Sequence, residues 1–343
     1  MAQDIELGLD TFGDITAKPD GSLKSHAAVI RDVIEEGVLS DAVGVDAFGV
    51  GEHHRPDFAV STPDVVLAAM SGRTKRIWLG SAVTVLSSDD PIRVFQRFST
   101  LNAASNGRAE VTLGRGSFIE SFPLFGFELS DYEKLFEEKL DLFVAVLRNE
   151  TVTWNGSTRA PLSNQRVFPP IEKGTLRTWI GVGGSPESVV RAAQYDLPLM
   201  LAIIGGDPMR FRPFVDLYHR AFAQFGKPVQ PVGIHSHGYV ADTDAQAREE
   251  FWPHYKASRD RIGAERGWPP TTQAAFEQEI NGGALHLGSP ETVARRIAMT
   301  IKDLGAVRFD MKYSVGTLPH DKLMRCIELY GTKVKPLVRE MIA

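Results

Sequence analysis

The chain has 343 residues, 38 Lys and Arg against 43 Asp and Glu for a formal net charge of −5, and a single cysteine. There is no basic block to attract nucleic acid or anionic lipid, and apolar runs such as 197–206 fall well short of the roughly 20 residues that span a bilayer. Cys326 alone excludes an internal disulfide and a thiolate metal cage, and its place in an apolar helical repeat predicts a packed thiol. Met1-Ala2-Gln3-Asp4 shows no basic region and no cleavable apolar core, so the expected compartment is the cytoplasm.

In chain order, β-rich runs at 5–9, 47–51, 77–85, 109–114, 178–182, 199–204, 232–240 and 307–313 predict eight strands. Apolar residues at helical spacing lie between them, for example Phe136, Leu140, Phe143, Val144 and Leu147, or Leu323, Ile327, Tyr330, Val334 and Leu337. Strand and helix alternate end to end without a Pro/Gly/Ser linker, and no composition break near 150–170 divides the chain into two doubly wound halves. The pattern predicts one α/β domain over 1–343, a (β/α)8 TIM barrel. Two insertions interrupt it. Thr151 to Gly156 alternates and ends in Asn-Gly, which predicts a small hairpin before the fifth strand. The segment 264–287, with Gly267, Pro269, Pro270, Gly282 and Gly283, falls between the seventh and eighth strands as a candidate mobile lid, or as a surface loop with no role.

Barrel chemistry sits at the carboxyl ends of strands. The second strand exits through Gly51-Glu52-His53-His54-Arg55-Pro56. Alternation places Glu52 and His54 on one side and His53 on the other, so only part of the trio faces a central pocket. The imidazoles either do chemistry there or satisfy buried backbone groups. A metal would need a third ligand from His235 or His237, and with no suitably spaced carboxylates none is expected. The fifth strand exits through Gly181-Val182-Gly183-Gly184-Ser185-Pro186-Glu187-Ser188, where Ser185 is a good N-cap, Pro186 suits the first helical turn and the glycines admit a ligand to the backbone. Such a helix N-terminus favours phosphate. Gly288-Ser289-Pro290-Glu291 repeats the cap but follows the long insertion, which makes the first the better phosphate candidate. Gly114-Arg115-Gly116-Ser117 leaves the fourth strand with a guanidinium for a phosphate clamp or a structural ion pair. The third strand, Gly80 to Leu86, has small residues against which a flat ring would fit. Phe12, Phe118, Phe122 and Phe125 would line an apolar pocket or belong to the core. Glu52, His54, His235 and His237 are further candidates for that pocket.

Taken together, Glu52-His53-His54, Gly80-Ser81-Ala82-Val83, Asp90-Pro91-Ile92-Arg93, Gly107-Arg108, Gly114-Arg115-Gly116 and Gly184-Ser185-Pro186-Glu187-Ser188 resemble the bacterial luciferase-like flavin monooxygenase family. The resemblance spans nearly the whole chain. It implies a barrel that takes reduced FMN from a separate NAD(P)H:flavin reductase, reacts it with O2 to a C4a-hydroperoxyflavin and oxygenates a small organic, apolar substrate. By position, Arg115, Gly184, Ser185 and Ser188 would bind the FMN phosphate, and Ala82 and Val83 would pack on the isoalloxazine, in some members through a non-proline cis peptide. His53 would be the catalytic histidine that manages protons, and a homodimer through helices after the early strands is implied. Gly114 stands where luciferase has a cysteine near the flavin, and Ile203 where it has a tryptophan, so light emission and a long-chain aldehyde do not carry over. The alternatives are a deazaflavin-dependent hydride transferase, a non-catalytic FMN-binding protein, or an unrelated barrel enzyme such as an aldolase using Lys312.

Overall fold

Eight parallel strands close on themselves in the computed structural model, which describes residues 5–116 and 118–343; the predicted rim residue Ser117 lies outside the described residues. We number the barrel strands β1 (Glu6–Thr11), β2 (Ala47–Val50), β3 (Trp78–Ser81), β4 (Ala109–Gly114), β5 (Arg177–Val182), β6 (Leu199–Ala202), β7 (Val232–Val240) and β8 (Arg308–Lys312). Each pairs in parallel with the next, and β8 returns to β1 with Glu6 opposite Arg308 and Asp10 opposite Lys312. This is the expected TIM barrel. Its strands were legible as apolar runs because both faces are covered, one by the interior and one by helices. Leu7, Leu9, Phe48, Val50, Leu79, Val111, Leu113, Ile180, Leu201, Ile234 and Phe309 are all buried.

Helices including His26–Ala42, Pro63–Ser71, Pro91–Ala104, Tyr132–Arg148, Pro186–Gln194, Arg212–Phe225 and Pro290–Leu304 ring the barrel. Among the described residues no helix is long and apolar enough to cross a membrane. Cys326 is buried with its Sγ accepting the Val240 amide at 3.2 Å, and burial pushes its thiol up to about 12, as suits a packed thiol.

The amino-terminal end of the barrel is filled by charge. Arg308 donates to both oxygens of Glu110 at 2.8 and 2.6 Å and to Asp310 at 2.9 and 3.0 Å. Glycine makes room for these side chains, since a Cβ on Gly8 would lie 2.1 Å from Asp310 Oδ1 and one on Gly80 2.8 Å from Glu110 Cγ.

Both insertions are present, with differences. The hairpin pairs Val152–Trp154 with Leu162–Gln165, but seven residues, 155–161, connect them in place of a tight Asn-Gly turn. Glu138 explains the longer loop, because its carboxylate accepts the Ser157 and Thr158 amides and the Ser157 hydroxyl. The segment 264–287 is largely regular structure. It contains the end of the long helix Asp244–Arg266, the helix Gln273–Asn281 and the first residues of His286–Gly288, which adds in parallel to the end of β7. Phe276, Ile280, Ala284 and Leu285 are buried, so its second half is packed against the barrel.

Candidate active site

The floor of the barrel mouth is the dipeptide Ala82-Val83, which continues β3 through a cis peptide before Thr84–Val85 pairs with β4. Both residues are half-buried. They lie over strand ends that lack side chains: a Cβ on Gly114 would come within 2.6 Å of Val83 Cγ2, one on Gly181 within 3.1 Å of Val83 Cγ1, and one on Gly49 within 2.9 Å of Ala82 Cβ. Gly51 likewise yields to Phe12, at 2.5 Å. The floor therefore reaches from β2 on one side to β4 and β5 on the other.

On the β1 and β2 side stands His53. Strand β2 ends at Val50, so the alternation expected to separate Glu52 and His54 from His53 does not run through them; Glu52 and His54 meet each other, while His53 turns to a cluster of aromatic side chains. Its ring is 4.5 Å from Phe12 and from Phe58 and 5.4 Å from Phe118, centre to centre. Its Nε2 is shielded from solvent and has no hydrogen-bond partner in the structure. Burial, followed by the nearby Lys312 ammonium, pushes the imidazole down to about 3, so it is neutral at physiological pH. Phe58 was not anticipated; five residues beyond His53, it returns because the intervening segment turns back, with the His53 amide bonded to Val60 O at 3.0 Å.

Glu52 and His54 line a small pocket together with His53 and Phe118, and they also hold each other. His54 Nε2 meets Glu52 Oε1 at 3.0 Å, and Glu52 Oε2 accepts the Val85 amide at 2.9 Å. The pair borders a side cavity of about 500 Å³ with Asp64, Arg97, Lys139 and Arg159 among its walls. Phe125 stands 5.1 Å from His54 at the same cavity, whereas Phe122 is core, stacked 5.5 Å from Tyr132.

Phe12 and Phe118 stand against His53, and His235 and His237 continue from Phe12 along β7. Phe12 lies parallel to His235 at 6.1 Å, and His235 is 6.1 Å from His237. Burial alone would lower His235, but Asp10 Oδ2, 2.7 Å from Nδ1, reverses this and raises it. His237 has no such partner and is pushed well below its usual value, by burial first and Lys312 second. Lys312 Nζ is anchored to Asp14 Oδ2 at 2.8 Å and to Ser314, which leaves no open amine for the aldolase alternative. Among the described residues no group of three or more His, Cys, Asp or Glu side chains is placed to hold a metal. The helix Asp244–Arg266 closes this side, with Glu265 on Arg55 at 2.5 Å, Arg261 on Asp57 at 3.2 Å and Arg266 over Phe118 at 5.2 Å.

Across the mouth, Ser185 caps the helix Pro186–Gln194, accepting from the Ser188 amide at 3.4 Å, and its hydroxyl donates to Glu187 at 2.8 Å. Ser188 Oγ is 3.4 Å from Ser185 Oγ. Gly184 has φ +120°, and a Cβ on Gly183 would meet nothing within 4 Å, so backbone and open space face the same way. The repeated cap differs. Asp244 accepts the Ser289 amide at 2.7 Å and the Thr292 hydroxyl at 3.0 Å, so an internal carboxylate already meets that helix end. Arg115 is linked to the helix that Ser185 caps through Glu133, which pairs with Arg115 and, at 3.9 Å, with Arg191 of that helix. The Arg115 guanidinium is engaged by Glu133, a residue with no signal at the strand exit because it sits on the helix Tyr132–Arg148.

A closed parallel barrel with these groups at the carboxyl ends of its strands defines a (β/α)8 protein with its candidate site in the usual place. More narrowly, residues 12–308 match the model of the luciferase-like monooxygenases, and the chain belongs to that family. It is 24% identical to the uncharacterized protein y4vJ of Sinorhizobium fredii, covering 96% of this chain and 97% of that one. It is 22% identical to the alkanal monooxygenase alpha chain of Photobacterium leiognathi, over 92% and 96%. Its fold is similar to that of the monooxygenase RslO1 from Streptomyces bottropensis, with TM-score 0.82, 19% identity and coverage of 97% and 99%. The oxygenating constituent of 3,6-diketocamphane monooxygenase from Pseudomonas putida, in complex with FMN, superposes with TM-score 0.78, 17% identity and coverage of 97% and 98%. An F420-dependent secondary alcohol dehydrogenase does so with TM-score 0.74, 15% identity and coverage of 98% and 99%.

Proposed function

We propose that this protein is an FMN-dependent monooxygenase that receives reduced FMN from a separate NAD(P)H:flavin reductase and, with O2, oxygenates a small apolar organic substrate. The observation that carries this reading is the Ala82-Val83 floor, which spans the mouth from the Ser185 cradle to the His53 cage over strand ends kept bare by glycine. The residues present suit the cofactor. Gly183, Gly184 and the amides capped by Ser185 leave room for a phosphate, Ser188 adds a hydroxyl, and Arg115 supplies the cation. Reduced flavin, when bound, supplies the two electrons with which O2 delivers one oxygen atom to a substrate and the other to water.

The chain's own residues do the rest. Arg115 and the helix N-terminus anchor, and Ala82 and Val83 orient. Phe12, Phe58 and Phe118 exclude water from the reacting side. His53, held neutral, accepts a proton at one ring nitrogen and releases one at the other. The first part of the segment 264–287, ahead of its packed second half, acts as a lid held down by the Glu265 to Arg55 contact. A homodimer through the helices after β2 and β3 is part of the proposal; Val65, exposed on Pro63–Ser71, supports it.

The test is anaerobic titration with reduced FMN, then mixing with isotopically labelled O2 and candidate apolar substrates. Binding followed by incorporation of one labelled atom supports the reading, and binding with no oxygen consumption defeats it. Deazaflavin-dependent hydride transfer is the competing reading, favoured by the fold shared with the F420-dependent alcohol dehydrogenase. It predicts reduction of deazaflavin by an alcohol without O2.

A further inference from the structure

Beside His53 lies a second void of about 10 Å³, whose walls include Glu52 and His54 as well as His53, Phe118, Glu120 and Ser121. Three polar atoms of these residues are sealed from solvent and have no hydrogen-bond partner in the structure: His53 Nε2, Glu120 Oε2 and Ser121 Oγ. Native interiors seldom leave buried polar atoms unpaired, and an ordered water is the usual remedy where walls alone do not suffice. A buried water needs about 10–15 Å³ by this measure and makes two to four hydrogen bonds. The void is at the lower end of that size, and the three unpaired polar atoms belong to residues of its walls. The donors and acceptors also balance, since the carboxylate accepts from the water, the serine hydroxyl donates to it, and Nε2 does either according to its tautomer.

We infer that this void holds one water and that Glu120 exchanges protons with His53 through it, so that Glu120 is the outlet between the barrel mouth and solvent. The water stands on geometry alone, while its purpose rests on the monooxygenase reading. Glu120 suits an outlet because its side chain is 33% exposed although Oε2 is sealed, so one carboxylate touches both the void and the surface. Its other oxygen is held by Arg55, which also contacts Asp57 at 3.3 Å and Glu265 at 2.5 Å. The charged groups facing His53 are Lys312 and Asp14 from the β8 and β1 side and His54 and Arg55 from its own segment. With Lys312 and Arg55 opposing a second positive charge, the imidazole passes a proton on and does not store it.

The step balances. A proton arriving at Nδ1 of the neutral ring is matched by loss of the Nε2 proton to the water. The water gives one of its own to Glu120 Oε2, and Glu120 releases it to solvent. One proton enters and one leaves, the ring is left in its other tautomer, and exchange along the same path restores it. Glu120 acts through the water and His53 and never touches the reacting atoms.

The first test needs no cofactor. A high-resolution crystal structure of the full chain should show one water within about 3.2 Å of all three atoms; a dry or side-chain-filled void overturns the inference. The second uses Glu120→Gln, which keeps size and the Arg55 contact but takes no proton. Oxidation of bound reduced FMN by O2 should slow roughly tenfold or more, with reduced FMN affinity unchanged and a larger rate effect of deuterated solvent. Glu120→Ala should recover part of its rate with added formate, a recovery that a merely structural role would not produce. A rate close to that of the native chain, or a loss indifferent to deuterium and formate, overturns the proton path. Should the native protein bind no reduced FMN, the monooxygenase reading fails by itself. Nitrogen NMR of His53 then decides: proton exchange at Nε2 that slows in Glu120→Gln upholds the path, and unchanged exchange ends it.

Discussion

Arg115 is paired with Glu133 on the first turn of the helix Tyr132–Arg148, and its guanidinium lies 5.3 Å from the centre of the Tyr132 ring. The cation proposed for a phosphate is thus already matched by a carboxylate. A phosphate arriving at the Ser185 cradle must share Arg115 with Glu133 or displace it.

Replacing Arg115 with Ala should weaken reduced FMN binding by about 1.5–3 kcal/mol, the range for a hydrogen bond to a charged group. Glu133→Gln should act oppositely and tighten it, by about 0.5–1 kcal/mol because the Glu133 side chain is largely exposed. Flavin fluorescence titration reads both, and equal affinities in all three proteins would remove the phosphate from this corner.

His53→Ala should leave flavin affinity nearly unchanged and slow oxygenation about 100-fold or more, the usual reach of a positioned acid–base group. Stopped-flow oxidation and product yield measure it. Normal product formation would strip His53 of its role.

His53 and His286 are both pushed down to about 3, chiefly by burial, with Lys312 the next influence on the first and Arg296 on the second. An unfolded histidine titrates near about 6.5, so between roughly 6.5 and 3 the unfolded chain binds protons that the folded chain refuses. Their contribution is complete above the unfolded value and is lost as pH falls, at up to about 1.4 kcal/mol per pH unit for each ring. His286 makes only internal contacts, to Ala284 O at 3.0 Å and the Thr300 hydroxyl at 3.2 Å. His286→Gln should therefore flatten the acid slope in urea unfolding between about pH 7 and 4.5, and an unaltered slope would show that the ring is not buried neutral.

Glu110→Gln removes one partner of the Arg308 cluster at the amino-terminal end of the barrel, where all three charged groups are buried. Arg308 keeps Asp310, so the fold should lose about 1–3 kcal/mol, the cost of one charged hydrogen-bond partner lost inside. Because the cluster lies at the opposite end from the mouth, folded protein should retain its flavin affinity; urea midpoints and titration together separate the two effects.

Gly114→Ala would set a Cβ 2.6 Å from Val83 Cγ2 and within 3.2 Å of two further Val83 carbons. The floor must move, which should cost about 1–3 kcal/mol in stability and weaken flavin binding with it. Affinity equal to that of the native chain would mean that Ala82-Val83 is not the surface on which the ring rests.

The barrel was readable because local physics and tertiary role coincide there. A strand covered on both faces must be apolar along its length, and β4 and β7 appear in the structure with the bounds their composition predicts. Beyond Val50, where β2 ends, the backbone is irregular, so alternation did not decide where Glu52, His53 and His54 point. What they met was not local: Glu52 and His54 border a cavity of about 500 Å³ whose walls come from the segments after β2, β3 and β4 and from the hairpin loop, and together with His53 they border the small void beside Phe118. The two Gly-Ser-Pro-Glu caps are nearly identical as sequence. They differ because Asp244, 45 residues before Ser289, reaches one of them, whereas the carboxylate at the other, Glu187, comes from the capped helix itself.

By itself, then, the amino-acid sequence determined the eight strands, the closed α/β architecture, the two insertions and the residue types at each strand exit, because periodicity, caps and glycines act over a few residues. Only the tertiary structure decided that Glu133 holds Arg115, that Asp14 anchors Lys312 across 298 positions, and that His53, Glu120 and Ser121 share one small void. Those relationships depend on which distant side chains closure of the barrel brings within hydrogen-bond reach, and charge pairing and burial leave no period in the chain from which to read them.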